Sequence, residues 1–173
     1  MKKAKTAVPS GTLRVEIITL SDRASRGEYP DRSGPKVRAL LEKHFSRAGR
    51  RVKFGYALIP DDAGRLRKAL RAAVAGGADV VVTTGGTGIG PRDITPDVVE
   101  VYCDRLIPGV MEYARVKFGA RNPSALLSRS LAAVKGRTLV YCLPGSEKAV
   151  SEYVPEIAKT LEHSLHMLRG AGH

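Results

Sequence analysis

The sequence is poor in cysteine and aromatic residues, and it contains no tryptophan. Its two cysteines, Cys103 and Cys142, stand far apart and form no Cys-x-x-Cys pair, which argues against a disulfide framework and against a zinc site. No apolar run approaches the roughly 20 residues that a membrane-spanning helix needs. We therefore expect a cytoplasmic protein without a membrane partner.

Acidic residues are also scarce, with 17 Asp and Glu against 29 Lys and Arg and a formal net charge of +12. The basic residues are scattered over segments such as residues 47–51, 65–71 and 115–121. No tract interleaves them with aromatic side chains, as a surface that binds single strands would. We therefore expect no nucleic-acid partner, and we interpret the charge as a field that attracts phosphorylated ligands.

The length of 173 residues suits one domain, which we predict at residues 13–170 after a flexible N-terminal tail of residues 1–12. Hydrophobic periodicity predicts strands at residues 13–20, 52–59 and 79–84. Amphipathic helices are predicted at residues 34–45 and directly after Asp61 or Asp62. This alternation predicts an α/β fold of three layers, α/β/α, with a mostly parallel central sheet.

The second half of the chain continues with helices and two more strands. The helices are predicted at residues 95–104 and 108–118, and the strands at 131–134 and 138–143. We expect Thr95 to be the N-cap of the first of these helices. Near the C-terminus, Ser146 is expected to cap a short helix that ends at Tyr153, and Pro155 to open a separate final helix.

A glycine-rich turn follows the most apolar predicted strand. Three valines at residues 80–82 lead into residues 83–88, Thr-Thr-Gly-Gly-Thr-Gly. Glycine removes side chains that would keep an anionic ligand away from backbone N–H groups, and threonine adds hydroxyl donors. The candidate phosphate contacts are Thr84, Gly85, Gly86, Thr87 and Gly88. The turn lacks the ending of a P-loop and the spacing of a dinucleotide fingerprint, so it indicates another kind of phosphate site or a purely structural turn.

A basic and an acidic residue come soon after this turn. The guanidinium of Arg92 suits a phosphate, with pairing to Asp93 as the alternative. The carboxylate of Asp93 is a hard oxygen ligand that suits Mg²⁺.

Further polar residues leave the other predicted strands at the same edge of the sheet. Ser21 and Asp22 follow the first strand and Asp61 follows the second, and the carboxyl ends of parallel strands meet at one edge. Spacing alone favours Asp61 as the N-cap of the next helix, a role that Asp62 could share. Asp22, with Arg23, either binds ligand or orders the loop.

Several ordered motifs together carry a family resemblance. Residues 83–88, followed by Pro-Arg-Asp-Ile-Thr-Pro-Asp at residues 91–97, resemble the signature of the molybdopterin adenylyltransferases of molybdenum cofactor biosynthesis. That family is similar to the G domains of plant and animal counterparts such as gephyrin. Other matching segments are residues 21–27, 59–62, 127–129 and 143–148. The resemblance extends over residues 13–169, nearly the whole chain.

The resemblance implies a specific reaction. The terminal phosphate of molybdopterin attacks the α-phosphorus of Mg-ATP, giving adenylylated molybdopterin and pyrophosphate. ATP is then a co-substrate and Mg²⁺ a cofactor, and Asp61 and Asp93 are the catalytic carboxylates that hold the metal. The resemblance thus outweighs the capping alternative for Asp61. It also implies a homotrimer, and the molybdenum-inserting protein of the same pathway as a further partner.

The C-terminal motifs add further candidates. The resemblance implies a pterin or phosphate contact from Ser128 and makes Glu112 a secondary candidate. Pro144, Gly145 and Ser146 form another strand-to-helix turn, which suits an anion or capping alone.

Cys142 departs from the family pattern, because many members carry Asn at this position. A weak thiol donor thus replaces a strong amide donor. This leaves open the alternative of a molybdopterin-binding paralogue without adenylyltransferase turnover.

Overall fold

The computed structural model describes residues 11–170, so most of the tail predicted at residues 1–12 lies outside the described residues. Its strands are β1 (Leu13–Leu20), β2 (Val52–Ile59), β3 (Val80–Thr84), β4 (Arg105–Leu106), β5 (Ala132–Lys135) and β6 (Thr138–Leu143). They form one sheet in the order β2-β1-β3-β6-β5-β4. The first four strands of that order run parallel, whereas β5 and β4 pair antiparallel with their neighbours. The predicted mostly parallel sheet is confirmed.

Helices cover both faces of the sheet. They are α1 (Asp22–Ser25), α2 (Ser33–Arg47), α3 (Ala63–Ala75), α4 (Thr95–Tyr102), α5 (Pro108–Gly119) and α6 (Glu147–Leu168), with a 3-10 helix at Pro123–Leu127. Apolar residues of α2, α5 and α6 form one core with the sheet, and those of α3 and α4 form a second core. This arrangement confirms the three-layer α/β/α fold.

Strand β1 shows how the sequence produces the two cores. Leu13, Val15 and Ile17 enter the core shared with α2, while Ile18 and Leu20 enter the core shared with α3. Successive side chains of a strand point to opposite faces, so a nearly continuous apolar strand is buried on both sides. Such a strand belongs in the centre of a covered sheet.

The predicted break of the last helix at Pro155 is wrong. Helix α6 runs without interruption through Pro155, after a start at Ser146 whose Oγ accepts a hydrogen bond from the N–H of Ala149. A proline inside a helix removes one hydrogen bond and usually bends or breaks the helix. Here the buried side chains of Val154 and Ile157 flank Pro155 and pack into the same core, so packing overrides the local preference.

The start and end of α4 also differ from the prediction. Thr95 is the first residue of the helix and not its N-cap, which is Ile94. The Thr95 hydroxyl donates instead to the carbonyl of Gly85 at 2.9 Å. The helix ends at Tyr102 rather than at residue 104, because the chain turns extended at Cys103 and enters the short strand β4, which the sequence pattern does not reveal.

The topology places a crevice above β1 and β3. The chain moves from β1 outward to β2 and then returns to β3 on the other side of β1. In open sheets of this type ligands bind beyond the carboxyl ends of the strands where the strand order reverses. Among residues 11–170, no helix has the length and apolar character to cross a membrane.

Candidate functional site

A cavity of about 680 Å³ opens at the carboxyl ends of β1, β2, β3 and β6. The topology therefore brings together residues that are far apart in the sequence. The sequence-predicted residues that line the cavity are Ser21, Asp22, Asp61, Thr84, Gly85, Gly86, Arg92, Asp93 and Gly145.

Other sequence-predicted residues lie beside the cavity rather than in its lining. They are Thr87, Gly88, Ser128, Pro144 and Ser146. The hydroxyls of Thr87 and Ser128 lie 3.3 Å apart, and Ser128 lines an adjacent cavity of about 400 Å³. Ser146 caps α6, and the carbonyl of Pro144 accepts from the Thr84 hydroxyl. The secondary candidate Glu112 is exposed on α5 and also lies outside the lining.

Asp22 and Asp61 are joined by reciprocal hydrogen bonds. The N–H of Asp22 donates to Oδ2 of Asp61 at 3.0 Å, and the N–H of Asp61 donates to Oδ1 of Asp22 at 3.1 Å. The other carboxylate oxygen of Asp22 accepts from the guanidinium of Arg92. The predicted alternative of an Arg92–Asp93 pair is therefore replaced by an Arg92–Asp22 pair that links the glycine-rich segment to the loop after β1.

These contacts push the pKa values of the two carboxyls in opposite directions. Burial raises the pKa of Asp61, and repulsion from Asp22 and Asp93 adds to the effect. Burial acts in the same direction on Asp22, but the Asp61 N–H and the Arg92 guanidinium outweigh it and lower the pKa of Asp22. A proton entering this group therefore goes to Asp61 first.

Asp61 and Asp62 have separate roles. Oδ1 of Asp62 accepts from the N–H of Arg65 at 2.7 Å, so Asp62 is the N-cap of α3. This excludes the capping alternative for Asp61, whose side chain faces the cavity instead.

The glycines of the turn are required by close packing within the protein. A Cβ on Gly85 would lie 2.2 Å from the carbonyl oxygen of Leu20, and the φ angle of Gly85 is +105°. A Cβ on Gly86 would lie 2.6 Å from the hydroxyl of Thr95. The N–H of Gly85 donates to the carbonyl of Leu143, and a Cβ on Gly86 would also lie 3.3 Å from Oδ1 of Asp61. Part of the glycine pattern is therefore structural.

The segment after the turn folds back on itself and positions Asp93. Oδ2 of Asp93 accepts from the N–H of Gly90 at 2.9 Å, while the N–H of Asp93 donates to the carbonyl of Gly90 at 3.0 Å. A Cβ on Gly88 would lie 2.7 Å from the same carboxylate oxygen. The loop therefore closes tightly around the Asp93 carboxylate, which lines the cavity.

Sequence reasoning missed Asp31, which also lines the cavity. Its carboxylate accepts from the hydroxyls of Thr19 and Tyr56, both at 2.8 Å, and from the N–H of Ser33 at 2.9 Å. Burial and this hydrogen bond raise the pKa of Tyr56 to about 12. An aspartate two residues before a helix, in the segment Asp-Arg-Ser-Gly at residues 31–34, is the signal that could have located this anchor.

The surplus positive charge is not concentrated in the cavity. Five lining residues are acidic and three are basic. The acidic ones are Asp22, Asp31, Asp61, Asp93 and Glu147, and the basic ones are Arg23, Arg32 and Arg92. Acidic residues thus outnumber basic ones in this lining, so a cation bound together with an anionic ligand would reduce the repulsion between that ligand and the carboxylates.

The donor set fits Mg²⁺ as part of a shared shell. No three acidic, His or Cys side chains among residues 11–170 are grouped so as to enclose a metal ion. Mg²⁺, however, usually takes one or two carboxylates and completes its shell with water and substrate phosphates. Asp61 and Asp93 face one cavity and repel each other, so a divalent cation between them and a phosphate would relieve that repulsion.

Cys142 lies away from the cavity. It is fully buried in β6 beside Thr83 of β3, in the core shared with α3 and α4. Burial raises the pKa of Cys142 to about 12, so the thiol stays neutral. The exchange of Asn for Cys at this position therefore alters the core next to the site and not the cavity lining.

Comparisons with known proteins agree with this geometry. A family model described as a probable molybdopterin binding domain matches residues 16–163. The chain is 31% identical to the molybdopterin adenylyltransferase of Helicobacter pylori, over 92% of this chain and 89% of that protein. It is 34% identical to the molybdopterin adenylyltransferase of Pyrococcus furiosus, over 91% of this chain and 92% of that protein.

A solved structure shares the fold closely. The molybdopterin biosynthesis enzyme MoaB of Thermus thermophilus is similar to this chain with a TM-score of 0.82 and 37% identity. The match covers 91% of this chain and 97% of that one.

Proposed function

Because the chain belongs to the molybdopterin-binding domain family of molybdenum cofactor biosynthesis, we propose that it transfers the adenylyl group of ATP to the phosphate of molybdopterin. A new bond forms between a phosphate oxygen of molybdopterin and the α-phosphorus of ATP. The bond from that phosphorus to the β-phosphate oxygen breaks, and pyrophosphate leaves. The protein is thus an enzyme of the nucleotidyltransferase class.

One observation carries this proposal. Asp61 and Asp93 reach the same cavity from the segments that follow two different strands, and Gly86 lines that cavity as well. Phosphoryl-type transfer requires little covalent chemistry from a protein, and it is promoted mainly by aligning two anions and neutralising the charge that develops. Two fixed carboxylates beside a backbone turn are suited to that task when a cation accompanies the substrates.

The residues of the cavity have distinct tasks in this proposal. Arg92, which is exposed and paired with Asp22, exchanges that carboxylate for a phosphate group of ATP. Gly86 allows phosphate oxygens to approach the backbone, and Ser21 and Gly145 line the same cavity. Thr84 also lines this cavity. The remaining predicted contacts, from Thr87, Gly88, Ser128, Pro144 and Ser146, lie beside it, and we propose that Ser128 contacts the pterin from the adjacent cavity.

We propose that Asp61 and Asp93 hold Mg²⁺ when ATP binds. When bound, the ion supplies positive charge that neutralises phosphate oxygens. Asp61 must be ionised to bind a cation, although burial and its acidic neighbours raise its pKa. The Arg92 guanidinium and the Asp22 N–H partly offset this effect, and the bond from the N–H helps to orient the Asp61 side chain.

The deciding experiment measures pyrophosphate release from Mg-ATP by the purified protein, with and without molybdopterin. Release that depends on molybdopterin and disappears in Asp61→Ala and Asp93→Ala supports the proposal. Binding of molybdopterin without any release would instead identify a binding paralogue without turnover.

We also propose a homotrimer that passes its product to the molybdenum-inserting protein of the same pathway. Large apolar side chains of α5 and the adjacent 3-10 helix are exposed, and among them are Val116 and Leu127, at 68% and 57%. Monomers rarely leave several such side chains uncovered on neighbouring elements. Sedimentation of the purified protein at micromolar concentration tests the oligomer, and a monomer at all concentrations would contradict it.

A further inference from the structure

Arg129 contacts the glycine-rich segment through both its guanidinium and its backbone. Its Nε donates to the carbonyl of Gly88 at 2.8 Å, and a terminal nitrogen donates to the carbonyl of Asp93. The other terminal nitrogen lies 2.7 Å from the carboxylate of Asp97 in α4. The backbone N–H of Arg129 also donates to the carbonyl of Thr87 at 2.8 Å.

We propose that Arg129 is a positioning residue that sets the conformation of residues 87–93 and thereby the location of the Asp93 carboxylate. Arg129 lines the adjacent cavity and not the main one, so its effect on Asp93 passes through the loop. The Arg92–Asp22 pair, by contrast, lines the main cavity. Two arginines thus hold the loop, Arg129 from the adjacent cavity and Arg92 through Asp22. This inference rests on the proposed adenylyltransferase function only as far as turnover is concerned.

The planar guanidinium explains why an arginine stands here. Three nitrogens in a fixed fork contact Gly88, Asp93 and Asp97 together, which the single ammonium of a lysine cannot do. The ion pair with Asp97 contributes little, because the Asp97 side chain is 61% exposed and exposed pairs are weak. The two bonds to backbone carbonyls therefore carry the positioning effect.

Two variants separate these contributions. Arg129→Lys keeps the positive charge beside Asp97 and loses the fork to the two carbonyls. Asp97→Asn removes the ion pair and leaves both carbonyl bonds in place. A positioning role predicts that Arg129→Lys loosens the loop and lowers activity and that Asp97→Asn does neither. A role as an ion pair predicts the reverse.

Hydrogen exchange of the loop is the first measurement, because it needs no turnover. The N–H groups of Gly90 and Asp93 are hydrogen-bonded inside the loop and report on its closure. We expect peptides that span residues 86–94 to exchange about tenfold faster or more in Arg129→Lys, with wild-type rates in Asp97→Asn. Equal exchange in Arg129→Lys and wild type, or equal acceleration in both variants, would overturn the inference.

Pyrophosphate release then tests the path through Asp93. We expect kcat to fall about 10- to 100-fold in Arg129→Lys while KM for ATP changes little, because a displaced catalytic group affects the transition state more than ground-state binding. In an Asp93→Asn background the same change should lower the residual rate less than about twofold. A full additional loss in that background would overturn action through Asp93. Absence of turnover in the wild type would contradict the proposed function and leave the exchange result as the test of Arg129.

Discussion

Asp22 and Asp61 each donate a backbone N–H to the other's carboxylate, at 3.0 and 3.1 Å. The pair connects the ends of β1 and β2 at the rim of the cavity, where the two like charges repel each other. The two hydrogen bonds offset part of the repulsion between the carboxylates, and Arg92 adds a cation on the Asp22 side. The consequence is an asymmetric pair, in which Asp22 stays ionised and Asp61 is the group whose charge responds to pH and to cations.

The two neighbouring aspartates after β2 should separate activity from stability. Asp61→Asn is expected to lower pyrophosphate release by about 100-fold or more, since removing a group that organises transition-state charge has effects of this size. Asp62→Ala is the matched control: it removes the cap of α3 and should lower the free energy of unfolding by about 1 kcal/mol while leaving kcat near wild type. Kinetics and urea unfolding of both variants check this, and equal activity losses would contradict it.

Because the pKa of Asp61 is raised, ionisation of this carboxyl destabilises the wild-type fold at neutral pH. A group whose pKa is raised in the folded state stabilises the fold while protonated, below its ordinary value of 3.8, and this stability is lost as pH rises through the folded pKa. Asp61→Asn is neutral at every pH and still offers an oxygen to the Asp22 N–H. Its Tm should therefore exceed that of wild type at pH 7, with a difference that narrows as the pH is lowered toward 4. A lower Tm for the variant at pH 7 would contradict the prediction.

The pair of Asp22 and Arg92 predicts opposite effects on ATP binding. Asp22→Asn keeps an acceptor for the Asp61 N–H but removes the charge that holds Arg92, so ATP should bind about three- to tenfold more tightly. Arg92→Gln removes the cation itself and should weaken ATP binding about tenfold. Calorimetric titration with Mg-ATP measures both dissociation constants. A change in the same direction for both variants would contradict a phosphate role for Arg92.

The sequence predicts which carboxylates meet but not how they are held. Asp61 and Asp93 follow parallel strands, whose carboxyl ends share one edge in any sheet of this kind, so their convergence is predictable from local pattern. The Arg92–Asp22 pair joins residues that are 70 positions apart, and no local signal specifies it. No local signal specifies the contacts of Arg129 either, because its guanidinium donates to backbone carbonyls that come together only in the folded chain.

The same limit explains two of the errors of the local analysis. The break at Pro155 and the cap at Thr95 follow from preferences of single residues. In the fold, the buried side chains of α6 continue on both sides of Pro155, and the Thr95 hydroxyl has a better partner in the carbonyl of Gly85. Tertiary packing and tertiary hydrogen bonds thus override the preferences of single residues at both positions.

The position of Cys142 yields the last prediction and bears on the alternative of a paralogue without turnover. Because Cys142 is fully buried between the sheet and the helices α3 and α4, Cys142→Ala creates a small cavity and should lower the free energy of unfolding by about 1 kcal/mol. Its thiol does not line the cavity that holds Asp61, so kcat and the affinity for molybdopterin should stay within about twofold of wild type. Urea unfolding, steady-state kinetics and molybdopterin titration test these three quantities together. If molybdopterin affinity fell tenfold while stability stayed unchanged, the residue would contact the pterin after all, and the exchange of Asn for Cys would again favour the binding paralogue.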